Sequence, residues 1–150
     1  MREIHSVAEL KLLVGQQVAT SDWIEITQDR INTFATATGD HQWIHVDVER
    51  AKKESPFKAP IAHGFLTLSL IPMLMESSLH LSYVRMGVNY GLNKVRFPAP
   101  VPVGSRMRAH IRLLQIDDIP DGHQMTWEVS IEREGQEKPV CVAESIARCY

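Results

Sequence analysis

The feature that most limits how this chain can fold is an apolar stretch, residues 64–81, followed by four segments rich in β-branched and aromatic residues. The stretch is long enough for a helix, and Pro72 is expected to kink it, since proline lacks an N–H and crowds the preceding turn. The four segments are 83–97, 106–116, 124–133 and 140–149, separated by the Pro-rich run 98–104, by Pro120-Asp121-Gly122 and by Glu134-Gly135. From Arg106 to Arg112 polar and apolar residues alternate, as in a strand with one covered face. An apolar helix and a one-faced sheet each need the other as cover. The expected class is therefore α+β, an antiparallel sheet wrapped around a long central helix.

The first third reads as shorter pieces. Residues 7–13 suggest a helix closed by Gly15, and 18–26 suggest extended chain. Thr27 is a plausible N-cap for a helix through Thr38, with Ile31, Phe34 and Ala35 on one face and Gly39 as its stop. Asp47 can cap another short helix through Lys53. Repeats and linkers are not evident, so residues 1–150 are expected to form one domain.

With 44% hydrophobic residues the chain can bury a real core, and a net charge of -2 argues against a nucleic-acid partner. The apolar run 61–75 is interrupted by His63, Gly64, Thr67, Ser69 and Pro72, so no membrane span is expected. Residues 1–6 carry no apolar signal region, which points to a cytoplasmic location. Cys141 and Cys149 share one β-like segment and would lie roughly 25 Å apart along it, beyond disulfide reach.

Chemistry concentrates in Gly39-Asp40-His41-Gln42-Trp43-Ile44-His45. On a continuous helix Asp40 and His45 would diverge, but Gly39 favours a loop that can bring them to one point. Imidazole titrates near neutral pH and a carboxylate can orient it or hold a water, so the pair suits proton transfer. The plainer alternative is that Asp40 caps a turn and His45 is a satisfied core histidine. Asp40, His41, His45 and His63 are also potential metal ligands, and His41 and His45 have a zinc-compatible spacing on a helix. The motif contains no Glu, however, no Cys is near, and Gly39 opposes that helix, so no metal is expected. Ala62-His63-Gly64-Phe65 opens the apolar stretch. A helix start exposes unpaired N–H groups, and the bare Gly64 would let a ligand oxygen approach, although it could equally serve a tight junction. Arg106, Arg108 and Arg112 fit a solvated sheet face, and Trp23, Trp43 and Trp127 read as packing anchors.

These motifs, taken in order, resemble the MaoC-like hydratases and dehydratases of the hot dog fold, which include the (R)-specific enoyl-CoA hydratases. Phe34, Thr38, Gly39-Asp40, Ile44-His45 and Ala51 match the family pattern, while Gln42-Trp43 replaces its common Asn-Pro and Ala37 stands at an aliphatic position. The chain is most similar to the nodulation-protein-N-like, or 3-hydroxyacyl-thioester dehydratase, subgroup. That likeness rests on Gly39 to His45, on Ile61-Ala62-His63-Gly64-Phe65 and on residues 90–105. It implies interconversion of trans-2-enoyl and (R)-3-hydroxyacyl thioesters of CoA or acyl carrier protein, in fatty acid metabolism. It also implies Asp40 and His45 as the acid/base pair, Gly64 N–H on the thioester carbonyl, Ser69 in the pocket, no cofactor, and a homodimer. Two rivals share the fold: an acyl-CoA thioesterase, and a module that binds acyl thioesters without turnover.

Overall fold

Alternation in the second half of the chain builds a strongly curved sheet. The computed structural model describes every residue, Met1–Tyr150. Its main sheet contains β2 (Gln17–Thr20), β3 (Ile24–Glu25), β5 (Gly87–Arg96), β6 (Arg106–Ile119), β7 (Gly122–Arg133) and β8 (Cys141–Cys149). The order is β2-β6-β7-β8-β5, all antiparallel, and β3 joins β6 beside β2. Inward residues follow the period of two: Met107, Ala109, Ile111 and Leu113 on β6, then Met125, Trp127, Val129 and Ile131 on β7. Bulges between Leu113 and Gln115, and two more in β5, bend the strands.

The concave face covers α5 (Gly64–Ser69) and α6 (Ile71–Glu76), whose Leu66, Ile71 and Leu74 join the same buried cluster. Here the structure corrects the expectation of one long helix over 64–81. The helix breaks at Leu70 and is finished by Glu76. Pro72 has no N–H to offer the carbonyl of Leu68, and at the break the Leu70 N–H is shared between the Leu66 carbonyl and, in a tighter turn, the Thr67 carbonyl. Two hydroxyls then end α6: Ser77 Oγ donates to the Leu74 carbonyl at 2.9 Å, and Ser78 Oγ does the same at 2.9 Å. The chain leaves as β4 (Leu79–Leu81), which pairs in parallel with β1 (Arg2–Ile4), a strand the sequence pattern did not reveal.

The remaining helices frame one end of the sheet. They are α1 (Val7–Lys11), α2 (Gln28–Thr38), α3 (Trp43–Val46) and α4 (Val48–Glu54). Ser6, Thr27 and Asp47 each cap a helix start by accepting an N–H three residues on, as the residue types predict for Thr27 and Asp47. The segment 18–26 is two strands rather than one, and α3 is an extra helical turn within the expected loop. Cys141 and Cys149 are buried, unbridged, and burial pushes both thiols up to about 11. No helix is long and apolar enough to cross a membrane. The arginines of β6 lie on the convex face, where Arg106 and Arg108 pair with Glu134 and Glu132 and cover Trp23.

Candidate active site

The end of α2 aims the first candidate side chain. Gly39 takes φ +81°, a left-handed value that costs other residues energy, and its N–H closes α2 on the Ala35 carbonyl at 2.8 Å. The chain therefore turns out of the helix at Asp40, whose carboxylate stays exposed and accepts the Gln42 N–H at 3.3 Å. The following turn, α3, carries His45 inward to 7% exposure. Its backbone is held by Gln28, whose Nε2 donates to the His45 carbonyl at 2.8 Å.

One distance decides what His45 can do. Its Nδ1 lies 2.6 Å from the Ile61 carbonyl. A carbonyl only accepts, so Nδ1 carries the proton and Nε2 is left with its lone pair. Burial pulls the His45 pKa below its ordinary value of 6.5; the Ile61 hydrogen bond opposes this, His63 adds to it, and Asp40 opposes it weakly. The ring is thus held neutral and ready to accept a proton near neutral pH.

His63 completes the group. Its Nε2 donates to the Asp40 backbone carbonyl at 2.9 Å, and its ring stacks on His45 with centroids 3.8 Å apart and planes inclined by 24°. Phe34 meets the same ring at 4.9 Å. A carboxylate oxygen of Asp40 and one ring nitrogen each of His45 and His63 lie within 4.8 Å of one another. One water can bridge that span, since each hydrogen bond to it reaches about 2.8 Å. The same three residues form a possible metal-ligand group, whereas His41 is exposed and stands apart from it. Stacking works against a shared ion. An ion about 2.0–2.1 Å from two imidazole nitrogens must lie near both ring planes. Two stacked rings with centroids 3.8 Å apart and planes inclined by only 24° do not bring their planes together at that range.

Gly64 follows His63 at the start of α5. Neither the Gly64 N–H nor the Phe65 N–H has an acceptor within the protein, so both remain free for a ligand oxygen. A Cβ at Gly64 would sit 3.0 Å from the Phe97 ring, a contact with no signal in the sequence. Ser69 donates its hydroxyl proton to the Phe65 carbonyl at 2.6 Å, leaving only acceptor capacity. It lines a groove of about 400 Å³ between the broken helix and β5, together with Leu68, Pro72, Tyr90 and Leu92. Asp40 and His45 do not line that groove. The structure therefore brings Asp40, His45 and the Gly64 helix start to one place and sets Ser69 about a helical turn further on. What the sequence pattern missed is the contact of His63 with the Asp40 loop; a ring-bearing residue at a helix cap position was its only trace.

The geometry has parallels among known proteins. Residues 9–134 match the model for the MaoC like domain. The chain is 54% identical over 149 residues to 3-hydroxyacyl-thioester dehydratase Z of Mycobacterium tuberculosis, covering 99% of this chain and 98% of that protein. It is 45% identical over 149 residues to nodulation protein N of Rhizobium meliloti, covering 98% and 92% respectively. Among solved structures, a monoamine oxidase regulatory protein from Archaeoglobus fulgius superposes with a TM-score of 0.78 at 26% identity, covering 99% of this chain and 95% of that one. Because the match takes in the Asp40 loop, the broken helix and nearly all of the sheet together, this chain belongs to the MaoC-like family.

Proposed function

We propose that the protein is a hydro-lyase that interconverts trans-2-enoyl and (R)-3-hydroxyacyl thioesters, with Asp40 and His45 as its acid/base pair. The observation that carries this reading is the free, neutral Nε2 of His45, set by the 2.6 Å contact of Nδ1 with Ile61, beside the Asp40 carboxylate. In the hydration direction the pair takes a proton from a bridging water as the water oxygen bonds C3. Electrons move through C2 onto the thioester oxygen, and the free N–H of Gly64 donates a hydrogen bond to that oxygen as its negative charge grows. The enolate then takes a proton from the pair at C2. The pair ends as it began, and one water has been added. Acidity at C2 comes from the thioester itself, so the proposal needs no metal or redox group. CoA and acyl carrier protein both present such a thioester.

The groove beside Ser69 fits an acyl chain, being lined by Leu68, Pro72, Tyr90 and Leu92. Edge strand β5 is exposed along nearly its whole length although it carries Val88, Tyr90 and Leu92. A solvent-exposed edge strand of ten residues that carries three exposed apolar side chains invites a second strand, so we read the working form as a homodimer joined there. Residues 1–150 act as one domain in this reading, and the two free, buried thiols fit a cytoplasmic setting.

Hydration of crotonyl-CoA in deuterated water tests the chemistry. Loss of enoyl absorbance without thiol release is expected, with (R) configuration at C3 and the C2 label on the same face as the hydroxyl. Thiol release would favour a thioesterase. Binding without turnover would favour a carrier module. Anti addition would remove the shared-water mechanism.

A further inference from the structure

We propose that His63 is a positioning residue that ties the Asp40 loop to the start of α5, so that the acid/base pair and the Gly64 donor move as one body. The inference rests on the hydratase reading above. His63 occupies the N-cap of α5, a place where Ser, Thr, Asp or Asn would normally turn back to the helix's own N–H groups. It makes no such cap bond. Its side chain instead crosses 23 residues of sequence to donate to the Asp40 carbonyl at 2.9 Å.

That bond has no substitute nearby. Asp40 is otherwise held by neighbours: its N–H reaches Thr38 Oγ1 at 3.4 Å and its carboxylate takes the Gln42 N–H at 3.3 Å. For residues 39–42, the His63 contact is the one hydrogen bond that reaches more than four residues along the chain. Gly39 makes the loop's exit from α2 easy to pivot, so an outside anchor decides where the carboxylate points. The anchor is itself rigid. The ring is 2% exposed and meets both Phe34 and His45, and its Nδ1 has no partner. The next residue in the chain is Gly64, so the tie joins the two halves of the site by the shortest covalent route.

Two substitutions of like polarity separate positioning from packing. Gln can place an N–H where the His Nε2–H stands; Asn places one only near Nδ1 and falls short of Asp40. His63→Asn is expected to lower kcat on an enoyl-CoA by about 10²-fold, the scale of an ångström misplacement, with KM within about threefold. His63→Gln is expected to stay within about tenfold of the parent kcat. His63→Phe keeps an aromatic ring and has no donor, so it should show the same loss of about 10²-fold in kcat, and it replaces His63→Asn where the smaller side chain prevents folding. Equal losses in Gln and Asn, or normal kcat in both Asn and Phe, overturn the placement of His63 alone. A parent protein that does not turn over enoyl thioesters overturns the hydratase reading and this inference with it.

Discussion

The stretch from Gly39 to Gly64 and the strands β6 to β8 are built on opposite principles. In the sheet, inward residues such as Met107, Ile111, Trp127 and Ile131 are fully buried and belong to one apolar cluster. Burying one large apolar side chain contributes about 1.5–3 kcal/mol, so this region holds the molecule together. In the 39–64 stretch, Asp40 is exposed, His45 and His63 are buried polar rings, and individual hydrogen bonds set the geometry. Each such bond contributes only about 0.5–1.5 kcal/mol to stability, yet each fixes the direction of a reactive atom. The contrast separates what keeps the fold from what makes it reactive.

Substitutions should split along that line. Asp40→Asn and His45→Gln are each expected to lower kcat by about two to four orders of magnitude. Asp40→Asn should leave the thermal midpoint nearly unchanged, because the side chain is exposed. A near-normal kcat in either variant would end the acid/base assignment. On the other side, Trp127→Ala should cost about 3–5 kcal/mol in denaturant unfolding, since the indole is 1% exposed and its removal leaves a cavity. KM of the protein that stays folded should hardly move. A loss below about 1 kcal/mol would show that the sheet does not carry the core in the way described.

Gly64→Ala probes the border between the two regions. The new methyl would press on Phe97 from 3.0 Å, but that ring is 42% exposed and can swing aside. The N–H donor survives, so a loss of about tenfold in kcat is expected, short of the about 10²–10³ that deleting a donor costs. An unchanged rate would mean that the thioester oxygen is held elsewhere.

The smallest effect is a shift in pH dependence. Burial lowers the His45 pKa below 6.5, so the acid limb of kcat/KM should have its midpoint below that value. The sign for stability is the same. The folded state favours neutral His45, so its contribution is full above pH 6.5 and is lost as pH falls through the lower folded value. A limb centred above pH 7 would contradict the buried, neutral ring. Rate profiles and unfolding midpoints between pH 5 and 8 read both.

Local chemistry made much of this molecule legible in advance. Thr27, Gly39 and Asp47 mark helix ends because capping acts within three or four residues, and the structure has each in that role. The four late strands were visible from alternation and turn residues, with ends misplaced by a few positions. The apolar content of 64–81 marked the centre of the core and Pro72 marked its kink, but the stretch concealed the helix end at Glu76 and the change to strand at Leu79. Those depend on Ser77 and Ser78 capping α6, and on a three-residue partner, β1, that lies more than 70 residues away in sequence.

By itself, then, the sequence determined most element types, the apolar faces and the presence of an Asp and a histidine suited to proton transfer, with a His-Gly pair at a helix start. Only the tertiary structure decided which nitrogen of each histidine is free. His45 takes its tautomer from the Ile61 carbonyl, and His63 takes its own from the Asp40 carbonyl. The physical reason is range. Caps, turns and periodicity act over a few residues, whereas an imidazole's proton goes to whichever acceptor the packed chain brings within 3 Å, here 16 and 23 residues away.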